Sequence, residues 1–377
     1  MNQNDDLPTS HHRAGGFQNT YADIVPKSLA EVLRWKWDAA RRGLPKPPQT
    51  PTPRVAPDLQ WLRANAGAGV AMQPSLTWIG HATAMVQLGG VTVLTDPIFS
   101  DRASPLPFVG PKRHVGPGIG LEDLPRIDLV LVSHNHYDHL DGASVDALAR
   151  QRGGPPTFIV PLGVRKWFVE RGILGVVELD WWQTHAAASP QGPTEIMLCP
   201  AQHWSGRGIA DRMKTLWGGY AVFAPDCHLF FAGDTGYSRD FQDLKARVAH
   251  RQRPELGGGF DIALLPIGAY EPRWFMATQH VNAAEAVKIH RDVGAKASLG
   301  LHWGTFQLTD EPLDEPPRSL RKEVVEAGLA EGEFFVLAVG ETKRLRKRES
   351  SEGDVRDEPH VRKRPAKDDL SAENGLL

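Results

Sequence analysis

The sequence predicts a mixed α/β fold in which β-sheets are covered by helices. Three observations support this class. Short apolar runs typical of strands come first in hairpins, later runs alternate with amphipathic helix candidates, and this order occurs twice along the chain. With 377 residues, of which 41% are hydrophobic and 23% charged, the chain is long enough to bury a large core. An all-parallel, doubly wound sheet is therefore not expected.

The N-terminal part of the chain predicts one helix and one extended linker. A helix is expected over residues 29–42, because Leu29, Val32, Leu33 and Trp37 fall largely on one side of it. A run of prolines between 43 and 57 then excludes helix, since proline has no amide proton to donate. We therefore predict an N-terminal extension over 1–57, one large domain over 58–343 and a charged, disordered tail over 344–377.

Within the large domain, apolar runs bounded by turn-forming residues predict the strands, and amphipathic segments between them predict the helices. The predicted strands cover 76–79, 84–88, 91–95, 127–132, 158–160, 176–179, 195–200, 220–223, 229–232, 261–266 and 297–301. The predicted helices cover 142–152, 163–171, 241–249, 282–293 and 318–327. Strand candidates precede helix candidates in each half, which favours two sheets of similar construction.

Charge and composition exclude several classes of protein. The net charge of −2 gives no overall attraction for nucleic acid, so no nucleic-acid partner is expected. The first residues lack the apolar stretch of a signal peptide, and no run approaches the roughly 18 apolar residues of a membrane span. Cys199 and Cys227 lie in or beside apolar runs, which favours small buried side chains over a disulfide. These features predict a cytoplasmic protein.

The most informative segment of the chain is 133–141, Ser-His-Asn-His-Tyr-Asp-His-Leu-Asp, which directly follows a predicted buried strand. Side chains two residues apart on extended chain point to the same side, so His134 and His136 can share one cation. After the chain turns, Asp138 and His139 are free to face a second cation. Imidazole with carboxylate suits zinc better than calcium or magnesium. The alternative is a polar loop with incidental histidines, which the ligand-like spacing disfavours.

Three further polar residues, His203, Asp234 and His302, each follow an apolar run. Open sheets display functional side chains at the carboxyl ends of their strands. Any one of the three alone would more often be a buried histidine or a turn aspartate. Together with the histidine motif they complete two metal sites, with Asp234 as the bridge: His134, His136 and His203 for one ion, and Asp138, His139 and His302 for the other. Each ion then keeps an open position for water, as catalysis requires.

Several longer runs are more specific than the histidine motif. They cover 78–83, 94–100, 110–113, 178–182, 202–204, 230–237, 266–276 and 302–306. These runs resemble the N-acylphosphatidylethanolamine-hydrolysing phospholipase D family of the metallo-β-lactamase superfamily, over roughly 76–340. The resemblance implies a four-layer αββα metallo-β-lactamase sandwich with two zinc ions per chain at one edge. It places the ligand roles on the seven residues named above.

The resemblance also implies the reaction. The expected activity is a zinc-dependent phosphodiesterase, in which metal hydroxide attacks phosphorus and releases N-acylethanolamine and phosphatidic acid. Asp138 and Asp234 would be catalytic as well as metal ligands. His280 would steady phosphate oxygens or protonate the leaving alkoxide, with a helix-capping role as the alternative. The segments 205–214 and 247–259 depart from the family pattern, which leaves the acyl chain and headgroup open.

Four residues are expected to contact a phospholipid substrate: Gln279, His280, Trp274 and Phe275. The aromatic pair could line an acyl groove or rest on lipid, with core packing as the alternative, and it predicts transient peripheral contact with a membrane. His81 and Asp96 lie at strand ends, where either could orient a metal ligand or serve only a local turn. The oligomeric state is open, with a homodimer as one option.

Two other functions compete with the phosphodiesterase. One is hydrolysis of a soluble phosphoester or a lactone at the same centre, which would favour a narrower, polar mouth. The other is a membrane-associated binding protein that kept the fold without the chemistry. Such a protein is expected to lack metal ligands, and none of the seven is missing here.

Overall fold

The computed structural model describes residues 11–22, 27–208 and 210–348. Two short paired strands, β1 (His12–Arg13) and β2 (Gly16–Phe17), come first. The helix α1 (Leu29–Arg42) follows with the predicted bounds. The Ser28 side chain accepts from the Glu31 amide while the Glu31 side chain accepts from the Ser28 amide, and this capping box begins the helix. A second helix, α2 (Leu59–Ala66), was not predicted.

Two seven-stranded sheets form the centre of the molecule. The strands of the first sheet are β3 (Ser75–Gly80), β4 (Thr83–Leu88), β5 (Val91–Thr95), β6 (Leu129–Leu131), β7 (Thr157–Pro161), β8 (Val176–Leu179) and β16 (Thr342–Arg344). Those of the second sheet are β9 (Thr184–Ala187), β10 (Thr194–Cys199), β11 (Gly219–Ala224), β12 (Cys227–Phe231), β13 (Ile262–Pro266), β14 (Ser298–Leu301) and β15 (Phe334–Phe335). The order is β16-β3-β4-β5-β6-β7-β8 in one and β15-β14-β13-β12-β11-β10-β9 in the other.

Both sheets are built in the same way, as the order of elements in the sequence predicts. Antiparallel hairpins come first, through β5 in one sheet and β12 in the other, and parallel strands follow. The remaining helices connect or flank the parallel strands: α3 (Gly142–Ala149), α4 (Arg165–Val169), α5 (Asp240–Val248), α6 (Arg273–Met276), α7 (Ala283–Val293) and α8 (Glu315–Glu326). The mixed α/β class is confirmed.

The main core lies between the two sheets. Tyr220 of β11 is fully buried, and its hydroxyl donates across the interface to the carbonyl oxygens of Val132, at 2.9 Å, and Ile159, at 3.0 Å. Trp78 of β3 stacks on Trp303, with ring centroids 5.0 Å apart. A separate cluster packs the outer face of the first sheet against α2, α3 and α4, and α5 and α7 cover the second sheet. The layers are therefore helix, sheet, sheet and helix, as predicted.

The structure shows which side of α1 is buried, and it corrects the predicted start of α8. The side of α1 that carries Leu29, Leu33 and Trp37 is exposed, by 74%, 60% and 59%, and the buried side chains are Trp35 and Ala39. Helix α8 begins three residues earlier than the predicted residue 318, because prolines are tolerated in the first turn, where the amide protons have no partner within the helix.

The predicted tail boundary at residue 344 is also wrong. Arg344 pairs with Ser75 in the first sheet, and Leu345 is buried. The Arg348 guanidinium lies 3.0 Å from Asp261, with only 4% of its side chain exposed. The chain is thus packed up to Arg348, and the remainder of the predicted tail lies outside the described residues. Within the described ranges, no helix is both long and apolar enough to cross a bilayer.

Candidate metal centre

The seven predicted ligands converge at one edge of the sandwich, each in a loop that follows a strand. Four of them lie between β6 and α3, and His203, Asp234 and His302 follow β10, β12 and β14. Gly233 adopts a positive φ of 63°, and a Cβ there would lie 2.6 Å from the Ser133 side chain. Only glycine therefore lets the Asp234 loop approach the histidine motif this closely.

Three histidine ring nitrogens form the first cluster. His134 Nε2 lies 2.7 Å from His136 Nδ1, which lies 3.4 Å from His203 Nε2. Burial lowers the pKa of His136 and of His203 to about 3, and it lowers the pKa of His134 well below its usual value. All three rings are therefore neutral, and each has a nitrogen lone pair for a metal ion.

The second cluster mixes imidazole with carboxylate. Asp138 Oδ2 lies 3.4 Å from His139 Nε2 and 3.5 Å from His302 Nε2, and the two imidazole nitrogens are 3.2 Å apart. Burial disfavours the charged form of His302, but Asp234 and Asp138 outweigh it and raise the pKa to about 9. The same balance, with Asp96 added, raises the pKa of His139 well above its usual value. The raised pKa values mean that His302 and His139 are protonated at neutral pH when no cation is bound.

Asp234 lies between the two clusters. Its Oδ1 is 3.2 Å from His302 Nε2, and its Oδ2 is 3.1 Å from His139 Nε2 and 3.9 Å from His203 Nε2. The carboxylate is buried, and histidine rings face both of its oxygens. A buried carboxylate is costly unless positive charge lies beside it, and a metal ion would supply that charge. The donor set thus fits two metal ions bridged by Asp234.

Hydrogen bonds at the ring nitrogens that point away from the centre hold three of the histidine rings in place. His139 Nδ1 lies 2.6 Å from Asp96 Oδ2, and Asp96 also accepts from the amide and hydroxyl of Ser133 at 2.7 and 2.6 Å. The Ser133 hydroxyl contacts His134 Nδ1 at 2.9 Å. His203 Nδ1 lies 2.9 Å from the carbonyl oxygen of Gln279. Such contacts leave Nε2 of each ring to face the centre.

His81 and Asp96, the predicted supporting residues, both lie at the centre in left-handed backbone conformations, with φ of 54° and 31°. His81 Nε2 is 3.1 Å from Asp138 Oδ2, and burial lowers the pKa of His81 to about 3. His81 therefore belongs to the second cluster, where it can orient Asp138. Strained backbone of this kind concentrates at functional sites.

The predicted substrate residues are only partly brought together. His280 Nδ1 faces Asp234 Oδ2 at 3.9 Å, and burial lowers the pKa of His280 to about 3. Gln279 contributes its carbonyl oxygen, whereas its side-chain amide points at Met276. Trp274 is 45% exposed. Phe275 is buried, because α1 covers it with Trp35 at a ring distance of 4.8 Å, which favours the core-packing alternative for this residue.

Two residues at the centre were missed by the sequence analysis. Ser133 belongs to the quoted motif, and a hydroxyl directly before the first histidine could have signalled its role. Arg273 donates to the His280 carbonyl oxygen at 2.8 Å and to Glu285 at 2.7 Å, which ties the loop that bears His280 to the start of α7. Nothing local in the sequence indicates that contact.

Comparison with known proteins agrees with this geometry. A model of the β-lactamase superfamily domain matches residues 91–303. The solved structure of Igni18, a metallo hydrolase from Ignicoccus hospitalis, has 22% identity and a TM-score of 0.52, and the match covers 72% of this chain and 97% of that one. The fold and the histidine–aspartate centre together define a metal-dependent hydrolase of the metallo-β-lactamase superfamily.

Two relatives narrow the assignment. N-acyl-phosphatidylethanolamine-hydrolyzing phospholipase D 1 of Caenorhabditis elegans is 40% identical over 272 residues, covering 70% of this chain and 74% of the relative. The mitochondrial N-acyl-phosphatidylethanolamine-hydrolyzing phospholipase D of Saccharomyces cerevisiae is 38% identical over 245 residues, covering 65% of this chain and 50% of the relative. The chain therefore belongs to the family of N-acyl-phosphatidylethanolamine-hydrolysing phospholipases D, which confirms the resemblance in its motifs.

Proposed function

We propose that the chain is a zinc-dependent phosphodiesterase that hydrolyses N-acylphosphatidylethanolamine to N-acylethanolamine and phosphatidic acid. The observation that carries the proposal is the position of Asp234 beside both clusters: its carboxylate lies 3.2 Å from His302 and 3.1 Å from His139 of one cluster and 3.9 Å from His203 of the other. The identity of 40% to the C. elegans enzyme supports the substrate class. A bridged pair of cations suits displacement at a phosphodiester.

Seven side chains would hold two zinc ions, three histidines for one and Asp138, His139 and His302 for the other, with Asp234 shared. Two zinc ions so held would supply an activated water at neutral pH and neutralise charge on a phosphoryl oxygen. Two carboxylates would not fully offset the charge of two dications, so the centre would keep a net positive charge. This edge of the sandwich would therefore favour an anionic phosphodiester although the net charge of the chain is −2.

The remaining roles belong to side chains around the two clusters. His280 is neutral in the free enzyme, because burial holds its pKa at about 3, so it can donate an N–H hydrogen bond to a phosphate oxygen. Steadying the phosphate thus fits His280 better than protonating the alkoxide. Asp138 is the more open carboxylate, 16% exposed against 3% for Asp234, and can accept a hydrogen bond from the attacking water.

The substrate class implies contact with a lipid surface, and α1 offers the apolar face for it. Leu29, Leu33 and Trp37 recur every fourth residue and are 74%, 60% and 59% exposed. Arg34 stands beside this face with its guanidinium 5.3 Å from the ring of Trp274. An apolar stripe with flanking cations is typical of a helix that lies in a membrane interface. Because α1 packs on Phe275 through Trp35, the helix that bears the stripe lies against the segment that leads to His280.

The lipid contact is tested by vesicle sedimentation. Leu33→Ser combined with Trp37→Ser should lower the bound fraction several-fold, because the substitutions remove exposed apolar area without touching the core. Leu174→Ser is the matched control, since Leu174 is 72% exposed elsewhere on the surface. Equal binding of the double variant and the wild type would remove α1 from the proposal.

The reaction is tested by assaying zinc-loaded protein on N-acylphosphatidylethanolamine in water labelled with oxygen-18. Attack at phosphorus places the label in phosphatidic acid, and mass spectrometry of both products should find it there. Label in the N-acylethanolamine would indicate attack at carbon and contradict the mechanism. Turnover of soluble phosphoesters or lactones, with none of the phospholipid, would favour the competing hydrolase.

A further inference from the structure

The N-terminal segment that contains β2 packs against the loop that carries His203. The amide of Phe17 donates to the carbonyl oxygen of Met213 at 2.8 Å. Asn19, two residues further on, is buried, and its Oδ1 accepts from the Trp217 indole at 3.2 Å. This segment thus reaches the loop between β10 and β11 although Asn19 and His203 are 184 positions apart in the chain.

The Asn19 side chain holds both backbone groups of His203. Its Nδ2 donates to the His203 carbonyl oxygen at 3.0 Å, and its Oδ1 accepts from the His203 amide at 3.0 Å. On the other side, the ring Nδ1 of His203 contacts the Gln279 carbonyl oxygen at 2.9 Å. Backbone and ring are therefore both fixed, and the position of Nε2 at the first cluster follows from these two contacts.

We propose that Asn19 is a positioning residue for His203, which sets the geometry and affinity of the first metal site. The inference rests on the proposed metal centre. Among the described residues between β10 and β11, His203 belongs to no helix or strand, and its peptide N–H and C=O bond to Asn19 rather than to a neighbouring strand. Contacts behind a ligand typically contribute about 10–100-fold to metal affinity, and Asn19 acts in this way through the backbone.

The segment that bears Asn19 is itself anchored at two points that precede this residue. His11 Nε2 and His12 Nε2 lie 2.6 and 2.7 Å from the two oxygens of Asp180, and the His11 ring stacks on Trp181 at 4.4 Å. A Cβ on Gly16 would lie 2.1 Å from the Met213 carbonyl oxygen, so the backbone is in direct contact there. The anchoring makes Asn19 a fixed support rather than a chance contact of a loose terminus.

The chain contains a matched control in Asn65. This asparagine is as buried as Asn19, 7% exposed in each case, and it bonds one residue's backbone in the same two ways. Its Nδ2 donates to the Gln73 carbonyl oxygen at 2.8 Å, and its Oδ1 accepts from the Gln73 amide at 2.8 Å. Asn65 belongs to α2 and contacts none of the seven ligands, so its loss should lower stability only.

The test is zinc affinity by competition with a chelator, together with the visible spectrum of the cobalt-substituted protein, for the wild type, N19A and N65A. N19A should lose about 10–100-fold in affinity at one of two sites and change the cobalt spectrum. N65A should unfold at a similarly reduced temperature but keep both properties of the wild type. N19D, which keeps the acceptor but loses the donor to the His203 carbonyl, should repeat the N19A result if N19A does not fold.

Wild-type affinity and spectrum in the folded Asn19 variant would overturn the inference and leave the metal centre intact. An equal loss of affinity in N65A would overturn it too, because the effect would then follow from stability alone. A wild type that binds no zinc would overturn the proposed function and this inference with it.

Discussion

The two candidate metal-binding clusters differ in charge although Asp234 lies beside both. His134, His136 and His203 form a neutral cluster, because burial keeps the pKa of each ring below its usual value. The second cluster contains Asp138, and its histidines have raised pKa values, about 9 for His302. A metal ion would meet free lone pairs in the first cluster and would have to displace protons in the second. The difference teaches that two clusters beside one carboxylate can depend unequally on pH.

The largest expected effect comes from breaking the bridge that the two clusters share. Asp234→Asn should abolish phosphodiesterase activity, because the loss of one negative charge weakens both metal sites at once. Folding should survive, since the core between the sheets does not depend on the metals. Activity and melting temperature of the variant check both statements.

Asp226→Asn is the control for that variant. Asp226 is also buried, but it accepts from the Gly89 amide at 2.7 Å in a turn of the structure and contacts none of the seven ligands. It should keep its activity. An Asp234→Asn protein with most of its turnover would show that the two clusters act without a bridge.

Acidification should lower the metal affinity of one cluster before that of the other. The raised pKa of His302, about 9, means that its protonated form predominates below that pH when no metal is bound. Metal affinity of the second cluster should therefore fall as pH drops below 9, by up to about tenfold per pH unit for each proton displaced. The first cluster, whose His136 and His203 have pKa values of about 3, should keep its affinity over this range.

Zinc content measured against pH in the presence of a weak chelator checks this prediction. One equivalent should leave before the other on acidification, and activity should be lost with the first. Simultaneous release of both equivalents would mean that the clusters do not differ in the way their charges indicate.

A smaller effect is expected from removing the carboxylate that supports a single histidine ring. Asp96→Asn removes the carboxylate that contacts His139 Nδ1 at 2.6 Å, so metal affinity of the second cluster should fall about 10–100-fold. The first cluster should change less, because Asp96 reaches it only through the Ser133 hydroxyl. Site-resolved zinc titration distinguishes this from a loss shared equally by both sites, which would contradict a specific role at His139.

Local patterns predicted most of this centre from the sequence. The four ligands of the 133–141 motif are neighbours in the chain, and the other three each follow an apolar strand, so strand ends alone place them at one edge. The double hairpin-then-helix order likewise predicted two similar sheets. Such features follow from periodicity and composition, which a single sequence contains.

Contacts between distant segments could not be predicted in this way. The exposed side of α1 has the stronger apolar pattern, yet Trp35 is buried because helix α6 provides Phe275 as a partner. Arg344 extends a sheet through pairing with Ser75, although its neighbours are highly charged. Asn19 lies in a segment without any periodic pattern. Tertiary partners decided each case, and they overrode local preference.

Anomalous diffraction at the zinc edge tests most directly whether Asp234 bridges a pair of metal ions. Crystals of protein purified without chelator should show two anomalous peaks per chain. One should lie among His134, His136 and His203 and the other among Asp138, His139 and His302, with an Asp234 oxygen bound to each. A single peak, or none, in a protein with full phosphodiesterase activity would contradict the account.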